Sequence, residues 1–315
     1  MKLAFVFPGQ GSQSVGMFRE YAGHPTIWNT VEEASAVLGQ DLRSLMESGP
    51  EADLNLTANT QPVMLAADIA VYRAWLESGG GLPEVVAGHS LGEYAALVAA
   101  GVLTFADALR VVRARGEAMQ AAVAPGAGGI AAILGLEADA VMAACREAAQ
   151  GDVVAPANLN APGQIVISGT RAAVERAIEA CKRLGAKRGI LLPMSVPAHC
   201  ALMLPAAETL STHLAGVSLS VPALPVVNNV DVATASAPAD IRDALSRQLS
   251  SPVRWIETVQ ALEAHHGVTH ILECGPGKVL QGLNRRIVDK ADCLTLSSSQ
   301  SILESVAALK TGATT

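Results

Sequence analysis

Residues 88–92 read Gly-His-Ser-Leu-Gly, with a serine two positions from each glycine. An apolar run at 85–87 precedes this segment, and a helix-forming run at 91–100 follows it. This context is typical of the nucleophile elbow, a tight strand-to-helix turn that exposes a serine hydroxyl at the end of a sheet. The glycines let the backbone turn tightly, and a helix N-terminus favours developing negative charge. We therefore predict that Ser90 is a catalytic nucleophile.

A serine hydroxyl needs a base within hydrogen-bond reach. The best candidate is His199, which lies in a proline-containing turn at 196–200. A hydrolase of this type would carry an acid between the serine and the histidine, at the end of a strand. No acid between them follows a good strand of the large domain, and most fall on predicted helix surfaces. These acids are Glu93, Asp107, Glu117, Glu137, Asp139, Glu147, Asp152, Glu175 and Glu179. We therefore predict a Ser–His dyad, in which a backbone carbonyl holds the second imidazole nitrogen.

The glycine-rich segment 8–13, Pro-Gly-Gln-Gly-Ser-Gln, follows the first predicted strand. It does not fit a dinucleotide loop because residue 14 is serine, and it lacks the Lys-Ser/Thr ending of a phosphate loop. We expect a tight turn that presents the N–H of Gln10, beside the N–H of Leu91, to an oxyanion. An ordinary structural turn is the alternative interpretation.

Arg115 stands on the predicted helix at 104–122 and is followed by Gly116. From spacing alone, two interpretations are open. The side chain is either solvated, as most helix arginines are, or faces the cleft, where its planar guanidinium would bind a substrate carboxylate through two hydrogen bonds.

Alternating strand and helix patterns predict an α/β fold with a large α/β-hydrolase-like domain and a mostly parallel sheet. Residues 126–193 read β-α-β-β-α-β, which predicts an inserted ferredoxin-like βαββαβ domain. The large domain would then comprise residues 1–125 and 194–315, with the active site in the cleft between the two domains. The segment 125–129, Pro-Gly-Ala-Gly-Gly, is a candidate hinge. Further predicted helices include 26–47 and 277–288, and a further strand is predicted near 225–230.

Composition narrows the possible partners and the compartment. The 315 residues carry a formal net charge of −7, which argues against nucleic acid as a partner. No apolar run approaches the ~18 residues of a membrane span. Five cysteines without a C-x-x-C motif indicate reduced thiols in a cytoplasmic enzyme. We expect no metal and no cofactor, and we interpret His265, His266 and His270 as a solvated helix end rather than as metal ligands.

Several ordered motifs carry a resemblance to a known family. They are Phe7–Gln13, the Gly-His-Ser-Leu-Gly-Glu-Tyr elbow, Arg115-Gly-x-x-Met119, Asn160–Gly169, Val196-Pro-Ala-His199, Gln248-Leu-x-x-Pro-Val253 and Gly275-Pro-Gly-Lys278. Together they resemble the malonyl-CoA:acyl-carrier-protein transacylase family of bacterial fatty-acid synthesis. The match spans nearly the whole chain. Ala198 departs from the family's serine, a change that removes a hydroxyl without adding bulk.

The resemblance implies a ping-pong transfer of a malonyl group from malonyl-CoA to the phosphopantetheine thiol of acyl carrier protein, without cofactor or metal. It assigns Ser90 as nucleophile and His199 as base, held by a carbonyl near Gln248. It places the oxyanion donors on the N–H groups of Gln10 and Leu91. It makes Arg115 the carboxylate-binding residue, puts Gln248 beside the dyad, and has Asn160 line the cleft.

Other functions share parts of this pattern. A serine esterase or thioesterase would use the same elbow but would not need Arg115. A malonyl-transferring subunit of a malonate decarboxylase or polyketide system would use a different carrier. A non-catalytic carrier-binding module would have no reason to keep Ser90, His199 and Arg115 together. Docking of an acidic carrier needs a local basic patch, for which Lys182, Arg183, Lys187 and Arg188, or Lys278, Arg285 and Arg286, are candidates.

Overall fold

The computed structural model describes residues 1–193 and 196–311 of the chain. The predicted large-domain boundary at residue 194 and its end at residue 315 lie outside this part. Within it the strands are β1 Leu3–Phe7, β2 Val85–Gly88, β3 Gly128–Leu134, β4 Val154–Ala161, β5 Gln164–Thr170, β6 Arg188–Leu191, β7 Val226–Val227, β8 His270–Glu273 and β9 Asp292–Thr295.

The helices alternate with these strands along most of the chain. The α-helices of the described residues are α1 Pro25–Leu38, α2 Leu42–Ser48, α3 Glu51–Leu54, α4 Thr57–Glu77, α5 Gly92–Ala99, α6 Phe105–Ala121, α7 Ala138–Ala149, α8 Arg171–Arg183, α9 Leu204–Ala215, α10 Pro238–Gln248, α11 Trp255–Ala264, α12 Val279–Asn284 and α13 Ser299–Thr311. Short 3₁₀ turns occur at Arg19–Tyr21 and Ala201–Met203.

A parallel sheet of five strands, ordered β7-β2-β1-β8-β9, forms the centre of an α/β architecture. Its middle strand β1 is buried along its whole length, because helices cover both faces of a parallel sheet. Alternate β1 residues therefore belong to two separate cores, with Phe5 and Phe7 on one face and Ala4 and Val6 on the other. The predicted α/β class with a mostly parallel sheet is confirmed.

A second sheet, ordered β4-β5-β3-β6, is antiparallel. Its strands and helices follow in the order β3-α7-β4-β5-α8-β6. Side chains alternate across this sheet. Ala131 and Ile133 of β3 pack into a core shared with α7 and α8. On the opposite face, Ile130 and Ala132 line a cavity.

Several predicted boundaries were wrong for identifiable reasons. The helix expected over 26–47 is two helices, because Gly39 ends α1 in a left-handed conformation with φ 61°. The strand near 225–230 is only two residues long, because the N–H groups of the next two residues donate outside the sheet. That of Asn228 donates to the carbonyl of Ala233, and that of Asn229 donates to Glu93. Gly277, with φ 82°, delays the start of α12 to Val279.

The glycines of the candidate hinge also differ from expectation, since Gly128 and Gly129 belong to β3. Strand β9 and helices α3 and α13 were not predicted. In the part of the chain that the structure describes, no helix is both long and apolar enough to span a membrane.

Candidate active site

The turn between β2 and α5 has the geometry of a nucleophile elbow. Ser90 sits at its apex with φ 52°, a left-handed conformation that is rare outside glycine. The flanking glycines are required by close packing, because a Cβ on Gly92 would lie 2.0 Å from the carbonyl oxygen of Phe7. The N–H of Ser90 donates to Oδ1 of Asn229 at 2.7 Å. The strained turn is thereby held from outside the elbow.

His199 faces the serine, and its imidazole is held from both sides. Its Nε2 lies 2.8 Å from Oγ of Ser90. Its Nδ1 lies 2.9 Å from the carbonyl oxygen of Gln248 and 3.2 Å from that of Ser251. Because carbonyl oxygens can only accept, Nδ1 must carry the proton, which leaves a lone pair on Nε2 toward the serine hydroxyl.

Burial and the positive charge of Arg115 lower the pKa of His199 to about 3. The imidazole is therefore neutral at neutral pH and able to accept a proton.

Arg115 is buried at the back of the cleft, with only 1% of its surface exposed. Its Nη2 donates to Oγ of Ser90 at 3.2 Å and to Oε1 of Gln248 at 3.0 Å. Its guanidinium carbon lies 5.6 Å from the ring centre of Tyr94. Gly116 allows this burial, because a Cβ there would lie 2.8 Å from Cα of Ala58 on α4. Of the two interpretations left open by spacing, the structure favours the cleft-facing one.

The two predicted oxyanion donors lie on neighbouring turns. Within the described residues, the N–H groups of Gln10 and Leu91 donate to no protein acceptor. The glycine-rich turn packs directly on the elbow, because a Cβ on Gly9 would lie 2.4 Å from the carbonyl oxygen of His89 and 3.6 Å from the nitrogen of Leu91. Both donors line the same cavity as Ser90. An unpaired N–H pair beside a nucleophile is suited to stabilising an oxyanion.

These groups meet in a cavity of about 310 Å³ between the two sheets. The parallel sheet with its loops and helices supplies Ser90, Arg115 and the two unpaired N–H groups, while the antiparallel sheet supplies the opposite wall. That wall is formed by Ile130, Ala132, Val166 and Leu192 together with Asn158, Asn160 and Gln164. Asn160 projects from β4, and its Oδ1 lies 2.8 Å from Nε2 of His89. One space is therefore bordered by nearly all of the predicted site residues, namely Ser90, His199, Arg115, Gln10, Leu91 and Asn160. Gln248 lies directly behind this space and contacts Arg115.

Two buried residues at this site were missed by sequence reasoning. Asn229 accepts from Ser90 N–H and donates through Nδ2 to the carbonyl of Gly88 at 2.7 Å. It lies two residues after the end of β7, at the carboxyl edge of a parallel sheet, and that position is the signal that could have found it.

Glu93 is the second, since it was passed over among the acids that follow no good strand, most of which were expected on helix surfaces. Only 2% of it is exposed. The run 92–99 contains no other charged residue, so α5 has no solvated face, and that pattern could have indicated a buried acid.

The two candidate basic patches differ in their surroundings. Lys182 and Arg183 form ion pairs with Glu179 and Glu147. The guanidinium of Arg286 instead donates hydrogen bonds to Oε1 of Gln164 and to the carbonyl oxygen of Pro162. Lys278 directly precedes Val279, which lines the cavity. Among the described residues, no cluster of three or more histidine, cysteine or acidic side chains could hold a metal ion.

A serine at an elbow, hydrogen-bonded to a neutral histidine beside two unpaired N–H groups, is the arrangement expected where an acyl group is transferred through a serine, and the family comparison agrees with that class. A family described as acyl transferase domain matches residues 4–298. The malonyl CoA-acyl carrier protein transacylase of Salmonella typhimurium is 55% identical over 289 residues, which are 91% of this chain and 93% of that protein. The chain belongs to the malonyl CoA-acyl carrier protein transacylase family and is an acyltransferase.

Solved structures support this placement across the whole fold. The acyl-carrier-protein S-malonyltransferase of Burkholderia pseudomallei is 54% identical with a TM-score of 0.95, covering 98% of this chain and 100% of that chain. A malonyl-transacylase solved in complex with a type II PKS acyl-carrier protein is 49% identical with a TM-score of 0.96, covering 98% and 100% of the two chains.

Proposed function

We propose that this enzyme transfers the malonyl group from malonyl-CoA to the phosphopantetheine thiol of acyl carrier protein, supplying fatty-acid synthesis. The observation that carries the proposal is the guanidinium of Arg115, buried 3.2 Å from the Ser90 hydroxyl. A buried cation beside a nucleophile selects an acyl group that brings its own carboxylate. The relatives named above for malonyl transfer support the same substrate.

We propose a ping-pong mechanism that begins with acylation of the serine. Oγ of Ser90 attacks the thioester carbonyl carbon while Nε2 of His199 takes the hydroxyl proton. The oxyanion that forms accepts hydrogen bonds from the N–H groups of Gln10 and Leu91. When the C–S bond breaks, the CoA sulfur leaves with the proton from His199, and a malonyl ester remains on Ser90.

The second half-reaction reverses these steps with a different thiol. His199 takes the proton of the phosphopantetheine thiol, and the sulfur attacks the malonyl ester. The oxyanion forms in the same hole, and Ser90 leaves with the proton from His199. Because one thioester replaces another, no energy source is consumed. The chemistry that these residues provide needs neither metal nor cofactor.

Arg115 provides the selectivity in this proposal. A malonyl carboxylate would pair with the guanidinium, whereas an acetyl group would leave that buried charge without a carboxylate. Unmet buried polar partners cost about 2–4 kcal/mol when the partner is charged. Asn160 and the other cavity-facing residues of the antiparallel sheet line the acyl and pantetheine space. The basic residues Lys278, Arg285 and Arg286, beside the cavity, are the better-supported docking patch for the acidic carrier.

We further propose that the parallel sheet and its helices form an α/β-hydrolase-like large domain, residues 1–125 and 194–315. Residues 126–193 would be an inserted ferredoxin-like domain. The separate core around α7 and α8 and the strand order β4-β5-β3-β6 support this division. Five cysteines without disulfide partners support a reducing, cytoplasmic location.

Intact-protein mass after mixing with malonyl-CoA, with acetyl-CoA in parallel, tests the proposal. We expect a malonyl adduct on the wild-type chain that is absent in Ser90→Ala. In Arg115→Ala we expect malonyl loading to fall and acetyl loading to become comparable. Release of CoA without an adduct would indicate hydrolysis and replace the proposal with a thioesterase. Neither adduct nor CoA release would leave only a carrier-binding role.

A further inference from the structure

Glu93 is a buried carboxylate that the mechanism above does not use. It lies in the first turn of α5, and its Oε2 accepts two hydrogen bonds. One comes from the N–H of Asn229 at 3.0 Å, and the other from Nε2 of Gln248 at 2.8 Å. A buried carboxylate is tolerated only when such donors satisfy it. Both donors belong to residues that contact Ser90.

The side chain of Gln248 joins Glu93 to Arg115. Its Nε2 donates to the carbonyl of Ser90 at 3.0 Å as well as to Glu93, and its Oε1 accepts from Nη2 of Arg115. An amide turned by 180° would place Oε1 against two acceptors and Nε2 against a cation. Glu93 and the carbonyl of Ser90 therefore together select the orientation in which the amide oxygen faces the guanidinium.

That orientation matters because Arg115 has few fixed acceptors. Its Nε has no hydrogen-bond partner among the described residues. Its Nη2 donates to Oε1 of Gln248 and to the hydroxyl of Ser90, and in the proposed mechanism that hydroxyl reacts. If the amide of Gln248 turned, the guanidinium would lose its amide acceptor and move from the place where a carboxylate would meet it.

Resting on the proposed function, we propose that Glu93 is a positioning residue for malonyl selectivity, acting by holding the amide of Gln248 so that its oxygen faces Arg115. Glu93 contacts neither reacting atom. Its second arm, through Asn229, supports the elbow and acts on all acyl groups equally. The ratio of malonyl to acetyl loading therefore depends on the hydrogen bond between Glu93 and Gln248 and not on the one to Asn229.

The test measures rates of Ser90 loading from malonyl-CoA and from acetyl-CoA by intact mass. In Glu93→Leu, which has no acceptor, we expect the malonyl-to-acetyl rate ratio to fall about tenfold or more. In Glu93→Gln, whose amide oxygen can still accept from both donors, we expect the ratio to stay within about threefold of wild type. If Glu93→Leu does not fold, Glu93→Asp, which withdraws the acceptor by one methylene, should lower the ratio in the same direction.

Glu273→Leu is the matched control. Glu273 is an equally buried carboxylate that accepts from the N–H groups of Leu280 and Gln281, at 3.0 and 2.7 Å. We expect its loss to lower the melting temperature but leave the ratio unchanged. In an Arg115→Ala background, Glu93→Leu should produce no further change in the ratio, since the two act in series.

Three outcomes would overturn the inference. They are equal losses of both rates in Glu93→Leu, a change in ratio that persists without Arg115, and the same change in Glu273→Leu. The wild-type sample reports separately on the proposed function. Absence of a malonyl adduct there overturns malonyl transfer itself and the role of Glu93 with it, whereas an unchanged variant ratio beside normal wild-type loading overturns only the latter.

Discussion

The two walls of the cleft are built in different ways. The first, which we term the floor, consists of Ser90, His199, Arg115 and Gln248 and is tied together by hydrogen bonds between 2.8 and 3.2 Å. The opposite wall, which we term the roof, consists of Ile130, Ala132, Val166 and Leu192 together with the amides Asn158, Asn160 and Gln164. Its polar contact to the elbow is the one between Asn160 and His89.

This difference follows from the two sheets. The carboxyl ends of parallel strands gather loops and helix N-termini at one edge, which is where reactive groups can be held in strained turns. An antiparallel sheet instead offers a regular face of alternate side chains, which here are apolar residues and three amides. From this comparison we infer that the proposed chemistry resides on the floor and that the roof provides shape. Each prediction below would sharpen or break that division.

The largest effect is expected at the base of the dyad. Changing His199→Ala removes the proton acceptor at 2.8 Å from Ser90 and should lower malonyl loading by about 10³-fold or more. The exposed His213→Ala is the control and should load normally. Stopped-flow release of CoA measures both. Near-normal loading by His199→Ala would mean that another base serves Ser90.

The turn beneath the oxyanion site should show the next largest effect. A Cβ in Gly9→Ala would lie 2.4 Å from the backbone oxygen of His89, so the turn carrying Gln10 must shift. Loss of one oxyanion donor costs about 10²–10³-fold in rate.

Gly216→Ala is the matched control, because its Cβ meets only an ordinary contact at 3.6 Å. The loading rate, compared with the melting temperature, separates a local shift from unfolding. Equal rates in the two variants would remove Gln10 from the mechanism.

The pH dependence of loading tests the lowered pKa of His199. A histidine with its ordinary pKa of 6.5 would be about 90% protonated at pH 5.5 and unable to accept a proton, so loading would fall about tenfold from pH 8. With its pKa lowered to about 3 by burial and by Arg115, the imidazole stays neutral over this range. We expect less than about a twofold fall.

This profile is best recorded in Glu93→Gln, because burial raises the pKa of Glu93 to about 7 and its titration would overlap the same range. A tenfold loss of rate centred near pH 6.5 in that variant would show that His199 titrates as an ordinary histidine.

The smallest effect is expected on the roof. Asn160→Ala removes the contact to His89 at 2.8 Å but leaves the floor intact. We expect KM for malonyl-CoA to rise by a few-fold, about 1 kcal/mol, with kcat little changed. Steady-state kinetics with both substrates measure this split. A loss of kcat as large as that in Gly9→Ala would mean that Asn160 takes part in the chemical step, which would contradict the division of roles between floor and roof.

Local sequence patterns were enough to predict part of this structure. The sequence by itself determined the elbow, because a Gly-x-Ser-x-Gly segment between a strand pattern and a helix pattern is typical of this tight turn. It also determined the α/β class and the β-α-β-β-α-β order, since hydrophobic periodicity reports which faces are buried. Errors at helix ends, such as the break at Gly39, arose where one glycine decides between continuing and stopping.

The tertiary structure alone decided which polar groups are buried together. Ser90 and Asn229 are 139 positions apart, and Glu93 and Gln248 are 155 apart, so no local pattern could pair them. A buried polar group must find a partner, but packing decides which partner is within 3 Å. For the same reason, spacing left Arg115 open between solvent and cleft, and only the close approach of α6 to α4 at Gly116 turned its guanidinium toward Ser90.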